Sequence, residues 1–281
     1  MAVTKSDVLL EALPYIQRFR DKVVVVKYGG AAMTDPGLSS LFAQDVVLMR
    51  SVGMKPVVVH GGGPQIGSLM KRLGMVPEFR EGLRVTDAET LDVARMVLVG
   101  KVNRDIVSSI NVHGPLAVGL SGEDAGLITA SARHPDLGYV GNVDSVNPGI
   151  LDRLLAEELI PIVATIGTDL EGQAYNINAD TAAGAVAEAV RAEKLVYLTD
   201  VIGVLRDVAD PESLVTTASA DELDKLVDEG VLTGGMIPKI TSCTRAVRNG
   251  VAHAHILDGR VPHALLLEMF TRDGIGTMVT A

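Results

Sequence analysis

The chain of 281 residues is long enough to bury a substantial hydrophobic core, either as one large α/β domain or as two lobes. Its formal net charge of −10 and its lack of a basic cluster argue against a nucleic-acid partner, because neutralising phosphates requires concentrated lysine and arginine. The single cysteine, Cys243, excludes an internal disulfide and a multi-cysteine zinc site, and no apolar run is long enough to suggest a membrane span.

The first 21 residues interleave charged and apolar residues at helical spacing and lack the uninterrupted apolar stretch of a signal peptide. They predict an amphipathic helix. Together with the lone cysteine, which suits a reducing compartment, they also predict a cytoplasmic protein.

From residue 22 onward the chain repeats a short β-branched run, a glycine turn and a segment of helical periodicity, which predicts an α/β fold with a mainly parallel central sheet. Strands are predicted at residues 22–27, 56–60, 115–119, 161–166, 194–199 and 254–257. Helices are predicted at residues 37–52, 64–73, 87–112, 148–159, 179–191, 220–229 and 238–249. The glycine-rich stretch 124–147 predicts hairpins on the sheet. We expect one continuous domain over residues 22–281, with two lobes divided near Asp180.

Ligands of an open parallel sheet bind beyond the carboxyl ends of its strands, and the segment KVVVVKYGG forms the first such end. Lys27 closes this strand, and Gly29 and Gly30 follow at once. Glycine lets backbone N–H groups approach an anion closely, and lysine supplies a compact positive charge. A strand-end lysine that points into solvent before a glycine turn is the alternative interpretation.

The segment PVVVHGGGPQIG places Gly61, Gly62 and Gly63 between a strand and a helix that begins near Pro64. A strand, a glycine turn and a helix N-terminus together form the geometry that binds phosphate or carboxylate. The spacing fits neither the dinucleotide-binding fingerprint nor a P-loop. An HGGG turn also forms the oxyanion hole of some lipases, but no GxSxG elbow accompanies it here.

A third cluster, YNINADTAAGAVAEAV, places Asn176, Asn178 and Asp180 at alternate positions before a helix, so an extended segment would project all three side chains to one face. Asp180 alone could cap that helix, but the row of polar groups favours ligand binding. Lys239 is predicted in the first turn of a later helix, where the helix dipole disfavours a cation. A lysine at such a place often faces an anionic ligand, and a solvated lysine is the alternative. Arg84, in EGLRVTDAE, suits either a substrate carboxylate or a surface salt bridge.

Together and in this order, the motifs KYGG, HGGGPQI, GLRVT, NINAD, LTDVIGVL and GGMIPK resemble the N-acetylglutamate kinases of the amino acid kinase family. The resemblance implies a three-layer α/β/α sandwich, with an amino-acid-substrate lobe at residues 22–180 and a nucleotide-binding lobe at residues 181–281. It implies ATP-dependent phosphorylation of the γ-carboxylate of N-acetyl-L-glutamate in arginine biosynthesis, with ATP and Mg²⁺ as cofactors. The family usually has Asn after KYGG, whereas this chain has Ala31, so the side-chain contact of that Asn would be lost.

The same resemblance implies a role for each site residue. Lys27 and Lys239 would stabilise the transferring phosphoryl group, and Asp180 would orient both lysines. Arg84 would hold the substrate α-carboxylate. The other substrate contacts would come from Gly30, Gly62, Gly63, Asn176 and Asn178. ATP would be bordered by Asp200, Val201, Gly203, Leu205 and Thr233. A carboxylate nucleophile is already ionised at neutral pH, so this reaction needs no general base.

The amphipathic helix at residues 1–21, AHILDGR and LLEMFTRDGIGT resemble the arginine-inhibited, hexameric branch of the family, in which extra helices link three dimers into a ring. Arginine binds there between the N-terminal helix and the C-terminal lobe. An acidic residue near glycine carbonyls can hold a guanidinium group, and the candidate residues here are His255, Asp258, Glu268 and Gly276. Alternatively, Glu268 is an ordinary solvated helix residue and His255 fills a strand end.

Three other functions fit parts of the sequence. Another amino acid kinase would act on carbamate, aspartate, glutamate or UMP, although GLRVT together with NINAD points away from these substrates. A catalytically silent amino-acid sensor would use the same pocket, but it would have no reason to keep both Lys27 and Lys239. A lipase-like hydrolase would need the nucleophile elbow that this sequence lacks.

Overall fold

The computed structural model of this protein describes residues 5–80, 82–271 and 274–281. Its helices are α1 (Lys5–Phe19), α2 (Pro36–Ser51), α3 (Gly63–Arg72), α4 (Ala88–Arg95), α5 (Asn103–Asn111), α6 (Gly149–Ala156), α7 (Ala179–Ala189), α8 (Ala220–Asp228), α9 (Met236–Arg248) and α10 (Ala264–Phe270). A π-helical segment, Met96–Val102, joins α4 to α5, so the predicted helix 87–112 is one long helix with a π segment in its middle.

The strands are short, from two to seven residues. They are β1 (Val23–Tyr28), β2 (Lys55–His60), β3 (Phe79–Arg80), β4 (Leu83–Arg84), β5 (Ala117–Ser121), β6 (Ile128–Ala132), β7 (Val140–Val146), β8 (Ile160–Ala164), β9 (Ile166–Thr168), β10 (Ala174–Ile177), β11 (Lys194–Thr199), β12 (Val204–Leu205), β13 (Leu214–Val215), β14 (Thr217–Ser219), β15 (His253–Asp258) and β16 (Thr277–Thr280).

Eight strands form the central sheet, in the order β14-β16-β15-β11-β1-β2-β8-β5. Neighbouring strands are parallel except β15 and β16, which are antiparallel. Lys27 of β1 lies opposite Val59 of β2 and Tyr197 of β11, so these three strands bring their carboxyl ends side by side. The predicted mainly parallel sheet is confirmed.

Helices cover both faces of this sheet. Val24 and Val26 of β1 face a core built with α1 to α5 and α10, whereas Val25 faces a second core built with α6 to α9. All three valines are fully buried, as expected for a parallel strand covered on both sides. The arrangement is the three-layer α/β/α sandwich that the sequence predicts.

The prediction of hairpins on the main sheet is wrong for residues 124–147. β6 and β7 do form an antiparallel hairpin, but they close with β9 and β10 into a separate four-stranded barrel. The predicted strand 161–166 divides at Thr165, where β8 ends in the main sheet and β9 begins in the barrel. In the barrel, the edges of the hairpin pair with β9 and β10. The hairpin sequence does not predict this pairing, because both strands come later in the chain.

α1 lies within the predicted N-terminal helix and docks on the first core through its inner face, where Phe19 is buried. Its outer face exposes Leu9, Leu10 and Leu13. Within the described ranges, every helix is too short or too polar to cross a membrane.

Candidate active site

Two lysines meet one aspartate at the carboxyl edge of the central sheet. The Nζ atom of Lys27 lies 2.9 Å from Oδ1 of Asp180, and the Nζ atom of Lys239 lies 3.0 Å from Oδ2. Lys27 comes from β1, Asp180 from the first turn of α7 and Lys239 from the first turn of α9. The structure therefore brings two cations from distant parts of the chain to one carboxylate.

The ion pairs are buried, and this determines the charge state of the carboxylate. The side chain of Asp180 is only 8% exposed. Burial alone would raise the pKa of Asp180, but the positive charges of Lys27 and Lys239 and their hydrogen bonds outweigh it and hold that pKa below its usual value. Asp180 is thus ionised at neutral pH and keeps both ammonium groups at fixed positions.

Small residues and a buried hydroxyl pair fix this geometry. A Cβ atom at Gly29 would lie only 2.8 Å from Nζ of Lys27, so glycine leaves room for the ammonium group. The hydroxyl of Ser242 donates to the backbone carbonyl of Asp180 at 2.8 Å, and Tyr197 contacts both that carbonyl and the Ser242 oxygen. Ser242 lies one helical turn after Lys239, so α9 holds both the backbone and the carboxylate of Asp180.

A cleft of about 190 Å³ opens at the carboxyl end of β2, and Ala179, the residue before Asp180, lies in its wall. Its lining includes most of the predicted substrate residues, namely Gly62, Gly63, Arg84, Asn176 and Asn178. Arg84 donates to the Gly63 carbonyl at 3.0 Å, and its guanidinium carbon lies 4.7 Å from the centre of the Phe79 ring. The Thr86 hydroxyl donates to the Arg84 carbonyl at 2.8 Å and lies 3.2 Å from the Asn176 amide. The arginine is therefore held at several points along the cleft wall.

The predicted alternation of Asn176, Asn178 and Asp180 along an extended segment is wrong at its last member. β10 ends at Ile177, and Asn178 caps α7 by accepting the N–H groups of Asp180 and Thr181 at 2.9 and 3.1 Å. Asp180 lies inside the helix, where its position is set by the lysines. The alternative prediction that Asp180 caps α7 is also wrong: the N-cap residue is Asn178, because the capping oxygen must come before the first helical residue.

The residues predicted to border a nucleotide lie around the ends of β11 and the start of α9. Asp200 follows β11 directly, and its backbone nitrogen would lie 3.9 Å from a Cβ atom at Gly30, a predicted substrate residue with a left-handed φ of +71° that is not among the residues lining the 190 Å³ cleft. Gly203 also has a positive φ, of +143°, and packs closely against Thr277. Val201 packs against the second core, Leu205 lies in β12, and Thr233 is exposed in a loop.

Sequence comparison identifies the family of the chain. The sequence model of the Amino acid kinase family matches residues 22–258. The chain belongs to the amino acid kinase family. An acetylglutamate kinase from Saccharopolyspora erythraea is 56% identical over 285 residues, which cover 99% of this chain and 93% of that protein. The family resemblance carried by the six motifs is confirmed.

Two solved structures of one protein are similar to this amino acid kinase. N-acetylglutamate synthase from Neisseria gonorrhoeae, complexed with coenzyme A and N-acetyl-glutamate, has a TM-score of 0.87 and 28% identity over 99% of this chain. The synthase complexed with coenzyme A and L-arginine has a TM-score of 0.82, with 27% identity over 99% of this chain. This chain spans 64% and 66% of the lengths of those two synthase chains.

A second cavity of the kinase, of about 730 Å³, lies between α1 and the C-terminal segment. Asp258, Glu268 and Gly276 line it, and His255 lies behind it with Nδ1 at 2.8 Å from Glu268. Lys194 lies 3.0 Å from the same carboxylate. Burial would raise the pKa of Glu268, but His255 and Lys194 outweigh it and lower that pKa to about 2. Glu268 is therefore a buried, ionised carboxylate and not an ordinary solvated helix residue.

The sequence alone does not single out Lys194, Ser242 or Tyr197. Weak signals point to Lys194 and Ser242, and none points to Tyr197. Lys194 opens a strand that is otherwise apolar apart from its closing Thr199, an unusual position for a lysine. Ser242 lies three residues after Lys239, so both side chains share one face of α9.

Proposed function

We propose that this protein transfers the γ-phosphoryl group of MgATP to the side-chain carboxylate of N-acetyl-L-glutamate, which gives an acyl phosphate and MgADP. The observation that carries the proposal is the convergence of Lys27 and Lys239 on Asp180 beside a cleft lined by Arg84. The identity of 56% with an acetylglutamate kinase over nearly the whole chain supports this choice of substrate.

The two reactants are both anions, so the reaction needs positive charge more than it needs a base. A carboxylate oxygen of the substrate attacks the γ-phosphorus, and the bond from that phosphorus to the β–γ bridging oxygen breaks as MgADP leaves. Lys27 and Lys239 offset the charge on the phosphoryl oxygens. Asp180 holds both ammonium groups in place before the substrates bind, so little reorganisation is needed at the transition state. Mg²⁺ enters with ATP, whose phosphates bind it.

The cleft residues would orient N-acetyl-L-glutamate. Arg84 suits the α-carboxylate, because a guanidinium group binds a carboxylate with two parallel hydrogen bonds. The remaining substrate contacts would be the backbone N–H groups and amide side chains of Gly30, Gly62, Gly63, Asn176 and Asn178. ATP would lie on the other side of the lysines, bordered by Asp200, Val201, Gly203, Leu205 and Thr233.

These assignments divide the site between two lobes of one continuous domain, residues 22–281. The substrate residues lie in residues 22–180 and the nucleotide residues in residues 181–281, and each lobe contributes one lysine. We place the enzyme in the cytoplasm, since its lone thiol, Cys243, is buried and suits a reducing compartment.

Trapping the acyl phosphate with hydroxylamine tests the reaction and its substrate. We expect hydroxamate from N-acetyl-L-glutamate and MgATP, with kcat/KM at least about 10²-fold higher than for glutamate, aspartate or carbamate. An ADP-release assay extends the comparison to UMP. Faster turnover of any other substrate would assign the chain to another amino acid kinase activity, and no turnover with arginine binding in a calorimeter would favour the silent sensor.

We also propose that arginine inhibits the enzyme by binding in the cavity between α1 and the C-terminal segment. The buried carboxylate of Glu268 can accept a guanidinium group, and Gly276 lines the same cavity. A related synthase is known in complex with L-arginine. The exposed Leu9, Leu10 and Leu13 of α1 suit helix contacts between subunits, which supports a hexamer of three dimers.

Replacing Glu268 with glutamine should raise the arginine concentration that halves turnover by at least about 10-fold, because the neutral amide loses one charge-assisted contact. The measurement is the ratio of inhibited to uninhibited turnover for each variant. Glu193→Gln is a suitable control, because Glu193 pairs with Lys22 at 3.6 Å and does not line the cavity. Unchanged turnover of the wild-type enzyme at millimolar arginine would contradict the proposal.

A further inference from the structure

His60 is fully buried at the end of β2 and has no part in the chemistry proposed above. Its Nδ1 atom lies 2.9 Å from the carbonyl oxygen of Gly61, the first residue of the glycine turn. Its Nε2 atom lies 3.1 Å from the Nδ2 atom of Asn103, the first residue of α5. The ring thus joins the glycine turn to a helix on the first core.

The contacts of Asn103 determine which ring nitrogen of His60 carries the proton. Nδ2 of Asn103 lies 2.8 Å from the Ile162 carbonyl and 3.3 Å from the Leu120 carbonyl, both of which can only accept. Its Oδ1 atom accepts from the guanidinium group of Arg104. Asn103 therefore presents its NH₂ group to His60, and Nε2 must accept. The proton of the neutral ring is on Nδ1, which donates to Gly61. Burial lowers the pKa of His60 to about 4, so the ring stays neutral.

The hydrogen bond to Gly61 fixes the direction of the next N–H group. The peptide bond between Gly61 and Gly62 is trans, like every other bond in the described part of the chain, so the Gly62 N–H points away from the Gly61 carbonyl across the same peptide plane. The carbonyl points inward to the buried ring. The Gly62 N–H therefore lies on the side away from the buried ring, and Gly62 lines the cleft together with Arg84.

The π-helical segment before Asn103 packs against the glycine turn. A Cβ atom at Gly62 would lie 2.7 Å from Cδ2 of Leu98 and 3.3 Å from Cγ2 of Val102, so the turn rests directly on this segment. A π segment changes the helical register, and such segments are frequent at functional sites. Here the segment brings Leu98, Val102 and Asn103 to the same turn.

We propose that His60 and Asn103 are positioning residues, which hold the Gly61–Gly62 peptide with its N–H toward the anion in the cleft. Three consecutive glycines are otherwise free to adopt many backbone conformations. A donor accelerates the reaction only if it already points at the place where charge develops. The inference rests on the proposed phosphoryl transfer and adds two residues that act on it through the glycine turn.

Asn103→Leu removes the donor to Nε2 while keeping the volume of the side chain. We expect kcat/KM for N-acetyl-L-glutamate to fall by about 10²-fold, as for the loss of one preorganised N–H donor, and KM for ATP to stay within about two-fold. Asn111→Leu is the matched control at the other end of α5. Asn111 makes three hydrogen bonds to backbone, with residues 116 and 117, where Asn103 makes two, and none of the three is to the glycine turn. It should lower the unfolding temperature and leave kcat/KM within about two-fold.

The proton position can be read in the wild-type protein without any variant of Asn103. Long-range ¹H–¹⁵N correlation spectra, with His60→Gln for assignment, should show a neutral ring with the proton on Nδ1 throughout about pH 6 to 8. A proton on Nε2 would overturn the inference, as would unchanged kcat/KM in a folded Asn103→Leu variant. If the wild-type protein forms no acyl phosphate, the proposed function fails, and the spectra still report on the hydrogen bond.

Discussion

Replacing Lys239 with methionine should lower kcat by about 10³-fold and change the free energy of unfolding by no more than about 1 kcal/mol. The loss of activity follows because the ammonium group offsets charge that develops only on the transferring phosphoryl group. The stability is retained because Asp180 keeps its 2.9 Å ion pair with Lys27, so no buried charge is left alone. Lys27→Met should behave in the same way, since Asp180 then keeps Lys239. Hydroxamate trapping gives kcat, and urea unfolding gives the free energy.

Lys22→Met is the control for both lysine variants. Lys22 precedes the same strand, β1, but at its opposite end, where its half-exposed side chain pairs with Glu193 at 3.6 Å. Its replacement should leave kcat within about two-fold, because exposed ion pairs contribute little to stability and this one is far from the carboxyl edge. If either Lys27→Met or Lys239→Met kept more than a tenth of wild-type kcat, the ammonium group removed in that variant could not be stabilising the transition state as proposed.

The sequence predicts most of the central sheet, because its strands are apolar on both faces and each is closed by a glycine turn or a polar residue. The predicted strand 194–199 matches β11, and the predicted helix 179–191 covers α7. The local sequence pattern is sufficient to predict an element when the element and the glycine or polar residue that ends it lie within about a dozen residues. It fails for α10 and β16, which the predictions omit, because their burial depends on docking against α1, α2 and β15.

The candidate site shows the same limit at the level of single residues. Local pattern identifies Lys27, Asp180 and Lys239 only as polar residues at strand or helix ends; their grouping around Asp180 comes from the family resemblance, and the fold shows the two contacts. Residues that act by contact across the core leave almost no local signal. Lys194, for example, contacts Glu268 from 74 positions earlier in the chain. The contact that sets the proton of His60 likewise comes from Asn103, 43 positions later.

Asp180→Asn should be the most damaging of the conservative changes, because it removes the charge that both lysines share. We expect the free energy of unfolding at neutral pH to fall by about 3 to 5 kcal/mol, since Lys27 is then a buried cation without a partner. We expect kcat to fall by at least about 10²-fold as the two ammonium groups lose their fixed positions. The exposed Asp152 of α6 provides the control, and Asp152→Asn should change neither quantity measurably.

The dependence on pH separates this charge effect from a packing defect. The pKa of Asp180 in the folded protein lies below the value of 3.8 for an unperturbed carboxyl, so its contribution to stability is complete above that value. The contribution is lost as the pH falls through the folded pKa, because the carboxyl is then protonated in both states. The difference in unfolding free energy between wild type and Asp180→Asn should thus be constant from about pH 8 to 5 and shrink as the pH falls below about 4. A difference that stays the same or grows in acid would mean that asparagine disturbs the packing of α7, and that Asp180 does not stabilise the fold through its charge.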